Sequence, residues 1–143
     1  MAYRLINLLL LFFLLCPYAA YSETVCSNST ENLSCLMRNF DDLYHENYSY
    51  FWKILHSAKE EAKHCHSTEA TSKFLSLASL RSDNAEFNEF FAESIENICI
   101  ASPKCFNEAN QLLPTATQER LKMFLSNPLF IDKERLYKSG CLK

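Results

Sequence analysis

Glycine is nearly absent from this sequence: one residue in 143 is glycine, beside four prolines. Glycine supplies the positive φ angles of tight hairpin turns, phosphate-binding loops and nucleophile elbows. Its scarcity therefore argues against a sheet-rich fold, a P-loop and a Rossmann site.

An excess of basic charge is also lacking, since 14 Lys and Arg face 17 Asp and Glu for a net charge of −3. Nucleic-acid binding needs clustered Lys and Arg, so no nucleic-acid partner is expected. A hydrophobic fraction of 48% and a charged fraction of 22% are typical of a globular protein. A chain of this length favours one domain.

Residues 1–22 have the pattern of a secretory signal peptide. Arg4 precedes an apolar run over residues 5–15, and Ala20 and Ser22 occupy the small-residue positions of a cleavage site. The alternative is a transmembrane anchor, which needs roughly 20 apolar residues and is longer than this run. We predict cleavage and secretion.

The mature chain is then a single helical, disulfide-containing domain over residues 23–143. Loss of Arg4 leaves 13 basic and 17 acidic residues, a net charge of −4. No later segment is apolar enough to span a membrane, so an extracellular location without a membrane span is predicted.

The mature chain keeps six cysteines, because Cys16 lies in the signal peptide. An even number in a small exported chain predicts a disulfide framework. Sequence alone leaves 15 pairings open, and Cys99 with Cys105 is one candidate as a local clip around Pro103. The six predicted disulfide cysteines are Cys26, Cys35, Cys65, Cys99, Cys105 and Cys141.

Three N-x-S/T sequons agree with export and predict N-glycosylation at Asn28, Asn32 and Asn47. All three fall within 20 residues of one another. This stretch is therefore expected to face solvent.

Apolar residues recur in steps of three and four along most of the mature chain, as in amphipathic helices. The pattern predicts an all-α fold, a compact disulfide-stapled bundle or array of about five to seven helices. Whether the helix over 33–65 is broken near Asn47 stays open. Its inward stripe is Leu36, Phe40, Leu43, Phe51 and Leu55.

Helix ends are marked by capping residues and proline. Asp83 with Glu86, and Thr115 with Gln118, have the spacing of a capping box. The remaining signals are an N-cap at Ser67 or Thr68, a first-turn proline at Pro103, an N-cap at Asp132 and a C-terminal glycine at Gly140.

Residues that could carry chemistry are few. His64, Cys65 and His66 resemble a metal cluster, but on a helix the two imidazoles would diverge, and Cys65 is expected to be oxidised. A catalytic thiol must be free, and no G-x-S-x-G elbow occurs. We therefore predict no catalytic residue, no metal and no cofactor.

Aromatic residues cluster at Tyr48, Tyr50 and Trp52, and these three form a possible binding face. On one helix they point in different directions, and a single core cannot receive all of them. Phe51 is predicted to point inward and Tyr50 to be exposed. Truncating Phe51 is therefore expected to destabilise the protein by roughly 3–5 kcal/mol, and truncating Tyr50 hardly at all.

Three functions remain open. The first is a secreted, glycosylated protein that acts without catalysis by binding an extracellular protein partner. The second is a carrier that encloses a small apolar ligand between its helices, which would need a cavity of roughly 300 Å³ or more. The third is an enzyme, which a cleft with strongly perturbed acidic or histidine side chains would favour. The first is our prediction.

Overall fold

The computed structural model describes Cys26 and residues 32–141. Within these residues the chain is all-α, as predicted, with eight α-helices and one short 3-10 helix over Ser76–Ser79. The α-helices are α1 (Asn32–Arg38), α2 (Phe40–Glu46), α3 (Tyr48–Lys63), α4 (Thr68–Leu75), α5 (Ala85–Ala101), α6 (Pro103–Gln111), α7 (Thr115–Ser126) and α8 (Lys133–Ser139).

The predicted helix over 33–65 is broken at Asn47, which answers the question that the sequence left open, and a second break falls at Asn39. Both residues have backbone angles outside the helical region, and the chain resumes a helix at the next residue. The inward stripe survives both breaks, since all five of its predicted members are buried.

Helix α5 lies at the centre of the fold and contacts α3, α6, α7 and α8. Its buried residues occupy most of its circumference, as expected for a helix enclosed by several others. Five phenylalanines are at most 1% exposed and dominate the core: Phe51, Phe74, Phe87, Phe91 and Phe106.

Four helix-end predictions are confirmed. Ser67 caps α4 by accepting from the Ala70 N–H, Pro103 begins α6, and Asp132 caps α8. Gly140 ends α8 with a φ of 88°, in the left-handed region that glycine tolerates best.

The two predicted capping boxes are wrong. Asn84, not Asp83, caps α5, and its side chain accepts from the Phe87 N–H. Pro114 holds the cap position of α7, so Thr115 is already inside the helix, and Gln118 donates to the Leu113 carbonyl. At α5 the adjacent polar residues Asp83 and Asn84 compete for one helix start, and at α7 the helix begins one residue earlier than the spacing predicts, so spacing alone does not fix either start.

Candidate binding groove

The six cysteines form three disulfides: Cys26–Cys35, Cys65–Cys105 and Cys99–Cys141. The local clip between Cys99 and Cys105 is therefore wrong. Cys99 lies on α5, whereas Pro103 begins a new helix, α6, that places Cys105 beside the end of α3. The longer bridges span 40 and 42 residues; one joins Cys65, just after α3, to α6, and the other joins α5 to Cys141, just after α8.

The two histidines beside Cys65 lie closer together than a helix would allow. Helix α3 ends at Lys63, and Cys65 adopts a φ of 48°. The rings of His64 and His66 consequently lie 6.0 Å apart, so the predicted divergence is wrong. In the described part of the chain, no group of three or more His, Cys, Asp or Glu residues is arranged to hold a metal ion.

The three aromatic residues of the predicted binding face separate. Tyr48 is exposed, whereas Tyr50 and Trp52 are half-buried and pack against the core. The expectation that Tyr50 is exposed is wrong, because its hydroxyl donates to the Cys26 carbonyl at 2.6 Å. Cys26, which the first disulfide joins to Cys35, thus contacts a side chain that helical spacing alone leaves outside.

Tyr48 and Trp52 belong instead to a groove between α3 and α5 with a volume of about 440 Å³, open to solvent. Contacts run in the same order along both helices: Tyr48 meets Glu86, Trp52 meets Phe90, and Lys59 meets Glu93. We call this surface the aromatic–acidic groove. Its lining residues are Tyr48, Trp52, His56, Glu86, Glu89, Phe90, Glu93 and Phe130.

Helical spacing explains why these residues share one surface. Tyr48, Trp52 and His56 follow at intervals of four on α3, and Glu86, Glu89, Phe90 and Glu93 at intervals of three and four on α5. The rings pack edge to face: Trp52 lies 5.2 Å from Phe90 and 6.1 Å from Tyr48, between ring centroids.

The carboxylate of Glu86 closes one end of the groove. It accepts a hydrogen bond from the Tyr48 hydroxyl at 2.6 Å and another from the Tyr44 hydroxyl at 2.9 Å. The Glu86 bond is the main reason that the pKa of the Tyr48 phenol lies above its usual value of 10.0, and desolvation adds to the rise. The Trp52 indole opposes it by lowering the pKa of Tyr48.

An intramolecular cation lies at the other end. The ammonium of Lys59 is 5.2 Å from the centroid of the Phe90 ring and 3.9 Å from a carboxylate oxygen of Glu93. Both distances fall within the range of a cation–π contact and an ion pair. The Lys59 side chain is only 15% exposed, so this cation is held against the protein.

A buried carboxylate, not predicted from the sequence, holds the backbone around Phe130 beside the groove. Glu96, on α5, is 1% exposed and accepts the backbone N–H groups of Leu129, Phe130 and Ile131 at 2.7–3.0 Å. A carboxylate that accepts several N–H groups can be buried because its charge is satisfied. In the sequence Glu96 looks like any surface glutamate of an amphipathic helix; only its position among apolar residues, next to Ile95 and Ile98, hints at burial.

Two of the predicted glycosylation sites can be placed. Asn32 begins α1 and is half-buried; Asn47 is half-buried at the break before α3, and its side chain makes no capping hydrogen bond. Asn47 directly precedes Tyr48, at the Glu86 end of the groove. Asn28 and the predicted signal peptide lie outside the described residues.

A second open groove, of about 450 Å³, lies where α6, α7 and α8 meet. Its lining mixes apolar residues such as Phe106 and Leu121 with the charged side chains of Glu119, Lys122 and Lys133. Unlike the first groove, it has no ring-to-ring contacts among its lining residues in the described chain.

The fold and the disulfides define the class of protein: within the described residues it is a small all-α protein cross-linked by three disulfides. Comparison with protein-family models, with curated proteins and with solved structures finds no match for this chain. No helix of the described residues is both long and apolar enough to cross a membrane.

Proposed function

We propose that this is a secreted, glycosylated protein that acts without catalysis, by binding an extracellular protein partner through the aromatic–acidic groove. The observation that carries the proposal is an open surface on which Tyr48 and Phe130 stay 47% and 45% exposed beside three glutamates. Aromatic rings at a solvent-exposed surface are typical of interfaces, where they supply much of the binding energy.

The rigidity of the groove supports this role. Its two walls are helices of 16 and 17 residues that also carry the core. The backbone around Phe130 is held because the N–H groups of residues 129–131 all donate to the Glu96 carboxylate. A surface that is ordered before binding loses less conformational entropy when a partner docks.

The lining of the groove includes no serine, threonine or cysteine side chain that could serve as a hydroxyl or thiol nucleophile of that kind. The carrier alternative would need aromatic rings around an internal cavity. The large phenylalanines instead pack on one another, with Phe91 within 6 Å of both Phe74 and Phe87, centroid to centroid.

Three disulfides and the absence of a spanning helix in the described residues fit an extracellular protein. Expression of the full chain in eukaryotic cells is expected to release a product that begins at Glu23 and loses mass on enzymatic deglycosylation. A product that keeps residues 1–22 in the cell would contradict secretion.

Photo-crosslinking tests the binding surface. We place p-benzoyl-phenylalanine at Phe130 and, as a control, at Tyr137, which is 69% exposed on α8 and outside the groove. Irradiation with extracellular fluid and intact cells of the source organism should give a discrete protein adduct from position 130 only. Excess wild-type protein should suppress it, and the Trp52→Leu variant should not. Equal adducts from both positions, or none, would contradict the proposal.

A further inference from the structure

We propose that the group received by the aromatic–acidic groove is an arginine side chain of the protein partner. This inference rests on the proposed function and names the chemistry that the groove recognises. It is carried by the combination of ring faces and carboxylates in one open surface, and by a cation of the chain itself that already uses both.

The charge of the groove is unbalanced in favour of a cation. Glu86 is satisfied by two phenolic hydroxyls and Glu93 partly by Lys59. Glu89 is exposed, lines the groove and makes no side-chain hydrogen bond or ion pair within the described residues. A carboxylate in this position can attract and orient a cation of the partner.

Lys59 is the internal precedent for this recognition. Its ammonium lies against the Phe90 ring and within reach of Glu93, which shows that this wall accommodates a cation over a ring and beside a carboxylate. The neighbouring Trp52 ring is the stronger cation–π partner of the two. In the described structure no Lys or Arg lies within cation–π distance of it.

Arginine fits this surface better than lysine. A guanidinium is planar, stacks on an aromatic face and directs several N–H donors sideways toward carboxylates. The groove combines both kinds of group, since the Trp52 ring lines it together with Glu89 and Glu93. The net charge of −4 on the predicted mature chain favours approach of a basic partner.

The test uses the single tryptophan of the chain, Trp52, as a reporter inside the groove. Secreted wild-type protein is titrated with Nα-acetyl-arginine N-methylamide and, in parallel, with the citrulline analogue, which has nearly the same shape but no charge. We expect a saturable change in Trp52 emission and in its indole N–H resonance with the arginine probe, and none with citrulline. Equal responses, or no response to arginine, would overturn the inference. A response to tetramethylammonium alone would also overturn it, because it would assign the groove to a quaternary ammonium ligand.

Charge variants sharpen the test. The double variant Glu89→Gln/Glu93→Gln should bind the arginine probe about tenfold more weakly, equivalent to about 1.4 kcal/mol. The matched control, Glu108→Gln/Glu119→Gln, removes the same charge from exposed positions outside the groove and should bind as the wild type does. Equal weakening in both doubles would show that only net charge matters and would contradict a specific site.

Lys59→Met removes the internal cation but keeps an apolar stem against Phe90. We expect tighter binding of the arginine probe, by about threefold, because Phe90 and Glu93 become free. Unchanged or weaker binding would contradict the competition that the inference implies. If the Phe130 crosslink forms but the arginine probe fails, this inference is wrong and the binding function stands; the reverse result leaves an arginine site without a protein partner.

Discussion

Two sets of aromatic residues on the same helices have opposite environments. On α5, Phe87 and Phe91 are 1% exposed and face the core. Phe90, which lies between them in the sequence, lines the open groove. On α3, Phe51 is fully buried and its neighbour Trp52 lines the groove. A shift of one residue turns a side chain by about 100° on a helix, enough to move it from core to surface.

The difference separates residues that hold the fold from residues that are free to bind. The core set packs ring on ring and is enclosed on every side, so its removal leaves a cavity. In the groove set, Trp52 and Phe90 are only partly buried against the core, and Tyr48 is exposed; all three line an open surface with Glu86, Glu89 and Glu93. If this division holds, substitutions in the core set should lower stability, and substitutions in the groove set should mainly affect binding.

The largest effect is expected in the core. Phe91→Ala removes a buried ring that contacts Phe74, Phe87 and Phe124. We expect a loss of about 3–5 kcal/mol in the free energy of unfolding. Chemical denaturation measures it, with Tyr48→Ala as the groove counterpart, for which about 1 kcal/mol or less is expected. Similar losses from both variants would end the distinction between the two sets.

The buried carboxylate links the two sets. The two carboxylate oxygens of Glu96 together accept hydrogen bonds from three backbone N–H groups. Glu96→Gln replaces one of these oxygens by an NH₂ group, which donates and cannot accept. We expect a loss of about 2 kcal/mol in stability, together with a weaker crosslink from position 130. Glu119→Gln, at an exposed position, is the control and should change neither. A stable Glu96→Gln variant with an unchanged crosslink would show that Glu96 does not hold the turn.

Tyr50 lies between the two sets. Tyr50→Phe keeps the ring and removes only the 2.6 Å hydrogen bond to the Cys26 carbonyl, for which we expect a loss of about 1 kcal/mol. Tyr137→Phe is a matched control, because Tyr137 is 69% exposed and its hydroxyl makes no hydrogen bond in the described chain. If the two variants have the same thermal midpoint, the hydrogen bond of Tyr50 does not stabilise the fold, and Tyr50 behaves as an exposed residue.

The smallest effect is electrostatic. The hydrogen bond to Glu86 holds the pKa of Tyr48 above 10.0, so Glu86→Gln should lower that pKa toward 10.0. The stabilisation from this bond is present while Tyr48 is protonated and is lost as the pH rises through the raised pKa. NMR titration of the labelled tyrosine ring measures the shift, and Glu119→Gln should leave it unchanged. A rise, or no change, in Glu86→Gln would contradict the assigned cause.

Local sequence signals predicted most of the fold. Helical periodicity identified the all-α class and the buried stripe that includes Phe51 and Leu55, because the spacing of apolar residues along a helix shows which of its faces is buried. The even cysteine count predicted full pairing but not partners, since pairing depends on how helices dock. Asn84 and Pro114 show the same limit at helix ends, where the helix starts one residue away from the position that the spacing predicts.

The groove was only half visible in the sequence. Tyr48 and Trp52 were predicted to lie on a binding face because the aromatic residues of this helix point in several directions and one core cannot receive them all; both line the groove. The acidic wall could not be predicted, because Glu86, Glu89 and Glu93 meet these rings only when α5 packs beside α3. Tyr50 was misplaced for the corresponding reason: Cys26, 24 residues earlier in the chain, covers it.

If the groove is an open, acidic aromatic surface, collisional quenching of Trp52, the single tryptophan, reports both its openness and its charge. At low ionic strength we expect caesium to quench this emission more strongly than iodide, because the surrounding carboxylates attract cations and repel anions. The preference should disappear in Glu89→Gln/Glu93→Gln and persist in Glu108→Gln/Glu119→Gln. Stronger quenching by iodide would show that the groove is not acidic, and no quenching by either ion would show that Trp52 is not open to solvent.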